Sequence, residues 1–252
     1  MHYYREMKPS KYLKVKLFKL FYFSLGFFIR GIQRTLIVTP KKNLLDYVNT
    51  HAVEQSAQYA INNFSKAMIF DQKQDLWEYC VNRVPSLLTR EGEIIAEFGV
   101  YKGASINFFA KRCPKAHVLG FDSFEGLEED WYGFIMAKSS FSTAGKLPKV
   151  ENNVELFKGW FEDTMSSCHD RLQEQQIKIL HMDADTYKPT LFVLNSLSKN
   201  LRKGSIIIFD EYLGYPSWEL HEFKAWHEVV KSQDIKYQYI GYTDKQVAVE
   251  II

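Results

Sequence analysis

The sequence predicts a doubly wound α/β domain, a mostly parallel sheet with helices on both faces, and three observations carry that prediction. From Glu93 onward, apolar runs of strand length alternate with segments of helical periodicity. Within that alternation Ile206-Ile-Ile-Phe209 is continuously apolar, the mark of a strand buried on both sides. At the end of the chain, Tyr237–Tyr242 and Gln246–Ile251 are separated only by Thr243-Asp244-Lys245, which predicts an antiparallel hairpin at one edge.

The chain opens on a basic arm. Residues 1–43 carry ten Lys or Arg against the single Glu6, leaving 22 basic and 29 acidic residues, a balance of −7, for the rest of a chain whose net charge is +2. Inside the arm, Leu20–Ile29 is an unbroken apolar and aromatic run flanked by Lys14, Lys16, Lys19, Arg30 and Arg34. A bilayer needs about 20 apolar residues to be crossed, so this run is too short to span one. No small-x-small cleavage site follows it, so it reads as part of the mature chain. Its aromatics and cations suit a membrane interface through residues 14–34, or packing against a second subunit in a homo-oligomer. The expected division is an arm over 1–44 and a domain over 45–252, of which 45–90 is a helical cover.

Two helices follow. Val53, Ala57, Ala60, Ile61 and Phe64 recur at helical spacing, as do Leu76, Cys80, Val84 and Leu87. The strands then come in order at Ile94–Phe98, Val118–Phe121, Val154–Phe157, Ile177–Met182 and Ser205–Phe209. Helices are expected from Ala104, Trp160, Pro189 and Trp218. Cys80, Cys113 and Cys168 share no metal-ligand spacing and read as reduced thiols of a cytoplasmic protein. There is no internal repeat, and nothing points to nucleic acid.

The first strand runs into a glycine turn, Glu97-Phe-Gly99-Val-Tyr101-Lys-Gly103, and a helix opens at Ala104. Gly99 and Gly103 allow close backbone approach to a ligand, and the helix N-terminus favours an anionic or polar group at the same spot. In an open α/β sheet ligands bind beyond the carboxyl ends of the strands, and here those ends are acidic. Asp122 follows Gly103 by 19 residues, the distance at which an acidic side chain meets the ribose hydroxyls of an adenosine. Asp183, Asp185, Asp210 and Glu211 cluster if the fourth and fifth strands are neighbours, and hard oxygen ligands crowded in this way suit Mg²⁺ or a similar divalent ion. The structural alternatives are that Thr186 or Asp185 caps the helix at Pro189 and that Asp210 caps a turn. His181 reads as a satisfied core imidazole, and His221 and His227 as surface or rim residues.

Five stretches together resemble a known family: Glu97-Phe-Gly99-Val-Tyr-Lys-Gly103, Phe121-Asp122-Ser-Phe-Glu125-Gly126-Leu, Gly159-Trp-Phe-Glu162-Asp163-Thr164, Met182-Asp183-Ala-Asp185-Thr-Tyr187 and Ile208-Phe-Asp210-Glu211-Tyr212. They look like the macrocin O-methyltransferases, class I enzymes dependent on S-adenosylmethionine, from about Glu91 to the C-terminus. The resemblance implies a three-layer Rossmann-like methyltransferase fold whose seven-stranded sheet ends on an antiparallel strand. It implies that Glu97, Gly99, Tyr101, Gly103, Ser105, Asp122 and Ser123 line the S-adenosylmethionine site, with Gly159 and Trp160 near the adenine. It also implies Mg²⁺ on Asp183, Asp210 and Glu211, methyl transfer to a sugar hydroxyl or a glycosylated small molecule, and Asp183 as the proton acceptor. Glu211 departs from the family, where a shorter Asp or Asn is usual.

Two rival functions fit parts of the sequence. Asp183-Ala-Asp185 is also the pattern with which metal-dependent glycosyltransferases hold a nucleotide sugar, and the basic arm fits a membrane-associated scaffold that kept the fold without activity. Residues 1–90 show no family match. Acceptor choice is expected to depend on them and on the long loop Glu128–Val150, whose length and aromatics suit a lid.

Overall fold

The computed structural model describes residues 43–252, so the basic arm and its run Leu20–Ile29 lie outside the described residues. A compact unit comprises Tyr47–Ile252. In chain order its elements are α1 (Leu44–Asn63), β1 (Met68–Ile69), α2 (Lys73–Arg83), the one-turn α3 (Ser86–Thr89), β2 (Ile94–Phe98), α4 (Ala104–Arg112), β3 (His117–Asp122) and β4 (Val154–Lys158). There follow α5 (Phe161–Leu172), β5 (Ile177–Met182), α6 (Tyr187–Ser196), β6 (Ile206–Phe209), α7 (Glu222–Gln233), β7 (Tyr237–Tyr242) and β8 (Val247–Ile251). Among the described residues no helix is long and apolar enough to cross a membrane.

The strands form one sheet in the order β1-β7-β8-β6-β5-β2-β3-β4. Only β8 runs against its neighbours β6 and β7, so the expected mostly parallel sheet with an antiparallel C-terminal hairpin is what the chain forms. Two details differ from expectation. Among the described residues the sheet has eight strands, because the two-residue β1 pairs in parallel with β7, and two residues are too few to carry a periodicity. The hairpin is also not an edge: β8 inserts between β6 and β7, which is why Val247, Ala248 and Val249 are fully buried.

Each face has its own core. Ile95, Val118, Ile179, Ile206 and Ile208 point to the face covered by α2 and α4, where Leu76, Ile106 and Phe109 meet them. On the other face, Phe98, Phe121 and Phe157 make a stacked ladder across β2, β3 and β4, with ring centroids 4.5 and 4.6 Å apart, and α5, α6 and α7 pack over that side. Burying each such side chain contributes roughly 1.5–3 kcal/mol, which holds both helical layers on the sheet. Cys80, Cys113 and Cys168 are free and buried, and burial pushes the Cys113 and Cys168 thiols up to about 11 and 12.

Two helix starts move. The helix expected from Pro189 begins at Tyr187, placing Pro189 in the first turn, where its missing N–H leaves no helical bond unmade. The helix expected from Trp218 is a 3-10 turn over Trp218–Leu220, and α7 starts afresh at Glu222. The histidines near it are not surface residues. His221 is buried and its Nε2 donates to the Tyr132 carbonyl at 2.8 Å, whereas His227 is half-buried among the hydroxyls of Tyr59 and Tyr212.

Candidate active site

The backbone ladder continues one residue past the strands and aligns their carboxyl ends. Asp183 N donates to the Phe98 carbonyl at 2.8 Å, Gly99 N to Phe121 at 2.9 Å, and Asp210 N to Met182 at 2.9 Å. Gly99, Asp183 and Asp210 are thereby set side by side on one rim. A cleft of about 220 Å³, partly open to solvent, lies over that rim. Gly99, Tyr101, Asp122, Ser123, Trp160, Asp183, Asp210 and Glu211 are on its wall, so most of the residues singled out from the sequence meet in one place.

Two positive-φ positions shape the glycine turn. Gly99 has φ 97°, and a Cβ there would overlap the Asp183 carbonyl. Tyr101 holds φ 48°, a left-handed conformation that costs a bulky residue of order 1–3 kcal/mol. What holds it there is Asp122. Its Oδ2 accepts from Val100 N at 2.8 Å and from Tyr101 N at 2.7 Å, while Oδ1 accepts from Phe124 N at 2.6 Å. Asp122 is therefore first a clamp on the turn, with both lone pairs of Oδ2 engaged and one acceptor position left on Oδ1.

Four expected cofactor residues are absent from the wall. Gly103 is the left-handed N-cap of α4, and Gly159, at φ 150°, precedes α5. Glu97 is fully buried beneath the cleft, accepting from Ser105 Oγ at 3.0 Å and paired with His181 Nδ1 at 3.1 Å. The sequence reading of His181 as a core residue holds for its burial, but this imidazole is a bridge. Its Nε2 faces Asp210 Oδ1 at 3.5 Å without a hydrogen bond, so the imidazole lies between two carboxylates on three adjacent strands. Burial lowers the affinity of His181 for its proton, yet the nearby Asp210 and Glu97 outweigh that and hold its pKa up at about 10. Burial likewise works against ionised Asp210, but His181 keeps that carboxyl below its usual range. Gln246 Nε2 also donates to Asp210 Oδ1, and Trp77 Nε1 holds the Gln246 carbonyl at 2.9 Å.

The remaining carboxylates have no such partner. Burial, then Asp210 and Asp185, push Asp183 well above the carboxylate range; burial and Glu222 do the same to Asp185, and burial and Asp210 to Glu211. Glu222, at the start of α7, is fully buried, and its Oε2 accepts from Glu211 N at 3.1 Å. Oε2 of Glu211 and Oε1 of Glu222 are buried without a partner. Crowded oxygens that lack protons or donors are what a hard cation satisfies. Ligand atoms converge within 4.8 Å in two groups, His181 with Asp183 and Asp210, and Asp183 with Asp185 and Glu211. Asp183 is common to both groups, while Asp210 and Glu211 fall in different ones.

The structural alternatives are also answered. Thr186 is at the N-cap position of α6, but its side chain makes no capping bond, and Asp185 is in a left-handed conformation on the cleft wall. The loop expected as a lid packs on the domain: Trp131 is buried with its ring 5.9 Å from that of Tyr215, His221 Nε2 donates to the Tyr132 carbonyl at 2.8 Å, and Glu128 and Phe141 join the cleft wall. Sequence reasoning missed Glu222 altogether. A Glu in the first turn of a helix looks like an ordinary partner of the helix dipole, and only its burial says otherwise.

With this geometry in place, comparison with known proteins is informative. Residues 96–212 match the family model described as a methyltransferase domain. Comparison with curated protein sequences gives no match. Among solved structures, the calicheamicin methyltransferase CalS11 is 20% identical over 83% of this chain and 93% of its own, with a TM-score of 0.55. The O-methyltransferase NovP is 18% identical over 70% of this chain and 79% of its own, with a TM-score of 0.56. At such identities the likeness is one of fold, and that fold is the Rossmann-like one of class I methyltransferases.

Proposed function

We propose that this chain is an S-adenosylmethionine-dependent O-methyltransferase, assisted by a divalent cation such as Mg²⁺, that methylates a hydroxyl of a sugar or glycosylated small molecule. The observation that carries this reading is the abutment of Gly99 on Asp183, which puts a clamped glycine turn and a carboxylate cluster into one cleft. The methyltransferase-domain match over residues 96–212 supports it.

S-adenosylmethionine supplies an activated methyl group on a sulfonium, so the protein's work is placement and proton transfer. Asp122 fixes the turn through the Val100 and Tyr101 amides, accepts from Phe124 N as well, and keeps one acceptor position on Oδ1 for a ribose hydroxyl. Trp160, 38% exposed on the cleft wall, offers a flat face to a base. Glu97, Ser105 and His181 act from below, fixing the floor on which the turn rests. The carboxylates Asp183, Asp210 and Glu211, with Asp185 beside them, would hold the cation, which lowers the pKa of a hydroxyl bound to it. Asp183, held ionised by the cation, would be the carboxylate placed to receive the acceptor's proton.

The test is isothermal titration of the full chain with S-adenosylmethionine and, in parallel, with a nucleotide sugar. Stoichiometric binding of S-adenosylmethionine, followed by transfer of labelled methyl to a glycoside, is the expected result. Binding of the nucleotide sugar alone would move the assignment to glycosyl transfer.

A further inference from the structure

The Nε2 of His181 is fully buried, has no hydrogen-bond partner and is turned towards the carboxylates of the cleft. On the other side of the ring Nδ1 is 3.1 Å from Glu97 Oε2, and the tautomer that donates Nδ1–H to this carboxylate leaves a lone pair on Nε2. The ring is held in that orientation. Trp77 meets it edge-on at 5.6 Å, Phe109 packs on it at 5.7 Å, and Ser105 Oγ fixes Glu97 at 3.0 Å. One nitrogen of His181, one oxygen of Asp183 and one of Asp210 lie within 4.8 Å of one another.

We infer that His181 Nε2 is a metal ligand, and that with Asp183 and Asp210 it holds a divalent ion of the first transition row, such as Zn²⁺ or Fe²⁺, in preference to Mg²⁺. The inference rests on the divalent-cation part of the proposed function and is independent of which group is transferred. A ligating imidazole characteristically gives its other N–H to a carboxylate, which fixes the tautomer and makes the free nitrogen a stronger donor. Glu97 stands where that partner is needed. Bonds of about 2.0–2.2 Å from one ion to Nε2 and to Asp210 Oδ1 would bridge the 3.5 Å between them at a near-tetrahedral angle. Gln246 Nε2 takes only one of the two acceptor positions of that oxygen, and Lys73 Nζ is 4.0 Å away. Imidazole selects transition ions, whereas Mg²⁺ keeps to oxygen, and the other group, Asp183 with Asp185 and Glu211, offers oxygen alone. An ion on Nε2 takes the place of a proton there, and the two carboxylates that attract the proton attract the ion. Asp183 and Asp210 line the cleft, so the ion is reached from it, and three protein ligands leave a position for a water or a hydroxyl.

The experiment uses the full chain, freed of metal by chelation and loaded with one equivalent of Co²⁺, which shifts the protons of a coordinated imidazole far outside the ordinary proton NMR range. One such resonance that exchanges in D2O, the Nδ1–H of His181, is the expected result, and it should be absent from His181→Asn. The same variant should bind Co²⁺ and Zn²⁺ at least tenfold more weakly, read by competition with a chromophoric chelator, while its Mg²⁺ affinity changes less than threefold. Glu97→Gln, which keeps the side-chain shape, should weaken Co²⁺ binding by about ten- to a hundredfold. The wild-type spectrum decides the question even where His181→Asn fails to fold. Co²⁺ bound without a shifted exchangeable proton, or Mg²⁺ bound as tightly as Zn²⁺, overturns the inference and leaves an all-oxygen site in place. Binding of no divalent ion overturns the inference together with the cation of the proposed function, and titration of the same metal-free protein with S-adenosylmethionine then tests the methyltransferase reading by itself.

Discussion

Gly99 and Asp183 meet just beyond the adjoining carboxyl ends of two parallel strands, where a Cβ on Gly99 would overlap the Asp183 carbonyl oxygen. This contact joins the cofactor cradle to the carboxylate cluster, and it leaves no room to adjust because the obstacle is backbone. Gly99→Ala is expected to destabilise the fold by at least the 1–3 kcal/mol typical of overpacking and to weaken S-adenosylmethionine binding, since the φ of 97° also disfavours a side chain. Thermal unfolding beside a cofactor titration checks both. Wild-type affinity in the variant would remove the contact from the site.

Asp122→Ala removes a charged acceptor shared by three backbone amides. Hydrogen bonds to charged groups are worth about 1.5–3 kcal/mol each, so the variant should lose stability without ligand as well as affinity. A lost ribose contact alone would leave the apo melting temperature unchanged. Differential scanning calorimetry of the apo protein separates clamp from ligand contact.

Asp183→Asn and Asp210→Asn are expected to abolish divalent-dependent turnover while S-adenosylmethionine still binds. The two should differ in stability. Asp183→Asn relieves repulsion in the cluster, whereas Asp210→Asn strips His181 of a partner. Full activity after exhaustive chelation would leave these carboxylates as structural groups or as a base alone.

The pH dependence follows from the same cluster. Asp183, Asp185, Glu211 and Glu222 have folded pKa values raised above the unfolded range of about 4, so each stabilises fully below that range and loses its contribution as pH rises through its folded value. His181 is also raised, and its contribution is present below about 6.5 and lost as pH rises through about 10. Asp210 is depressed, and its share is lost only in acid, as pH falls through its folded value. Metal-free protein should therefore melt at lower temperature as pH climbs from about 5 towards 10. Added Mg²⁺ should raise the melting temperature more at the alkaline end. A melting temperature that rises with pH in the absence of metal would contradict the raised carboxylates.

The sequence by itself determined the alternation of strands and helices, the buried strand Ile206–Phe209, the glycine turn after Glu97 and the acidic residues at the strand ends, because each is local: a period, a run or a spacing within a few residues. What it could not decide depends on partners far apart in the chain. The two-residue β1 exists only because β7 offers it an edge, and β8 is interior only because β1 and β7 lie outside it. His181 has the sequence signature of a core residue, and becomes a bridge only when Glu97 and Asp210 arrive on the strands to either side. Glu222 looks like a solvated first-turn residue until α7 carries it under Glu211. Asp122 was legible as a site residue, but its first duty, holding the Val100 and Tyr101 amides of the glycine turn, required the turn to fold back over its own strand's neighbour. Residue type and spacing fix which groups can do chemistry, whereas desolvation and the sharing of protons are set by long-range packing that no local pattern records.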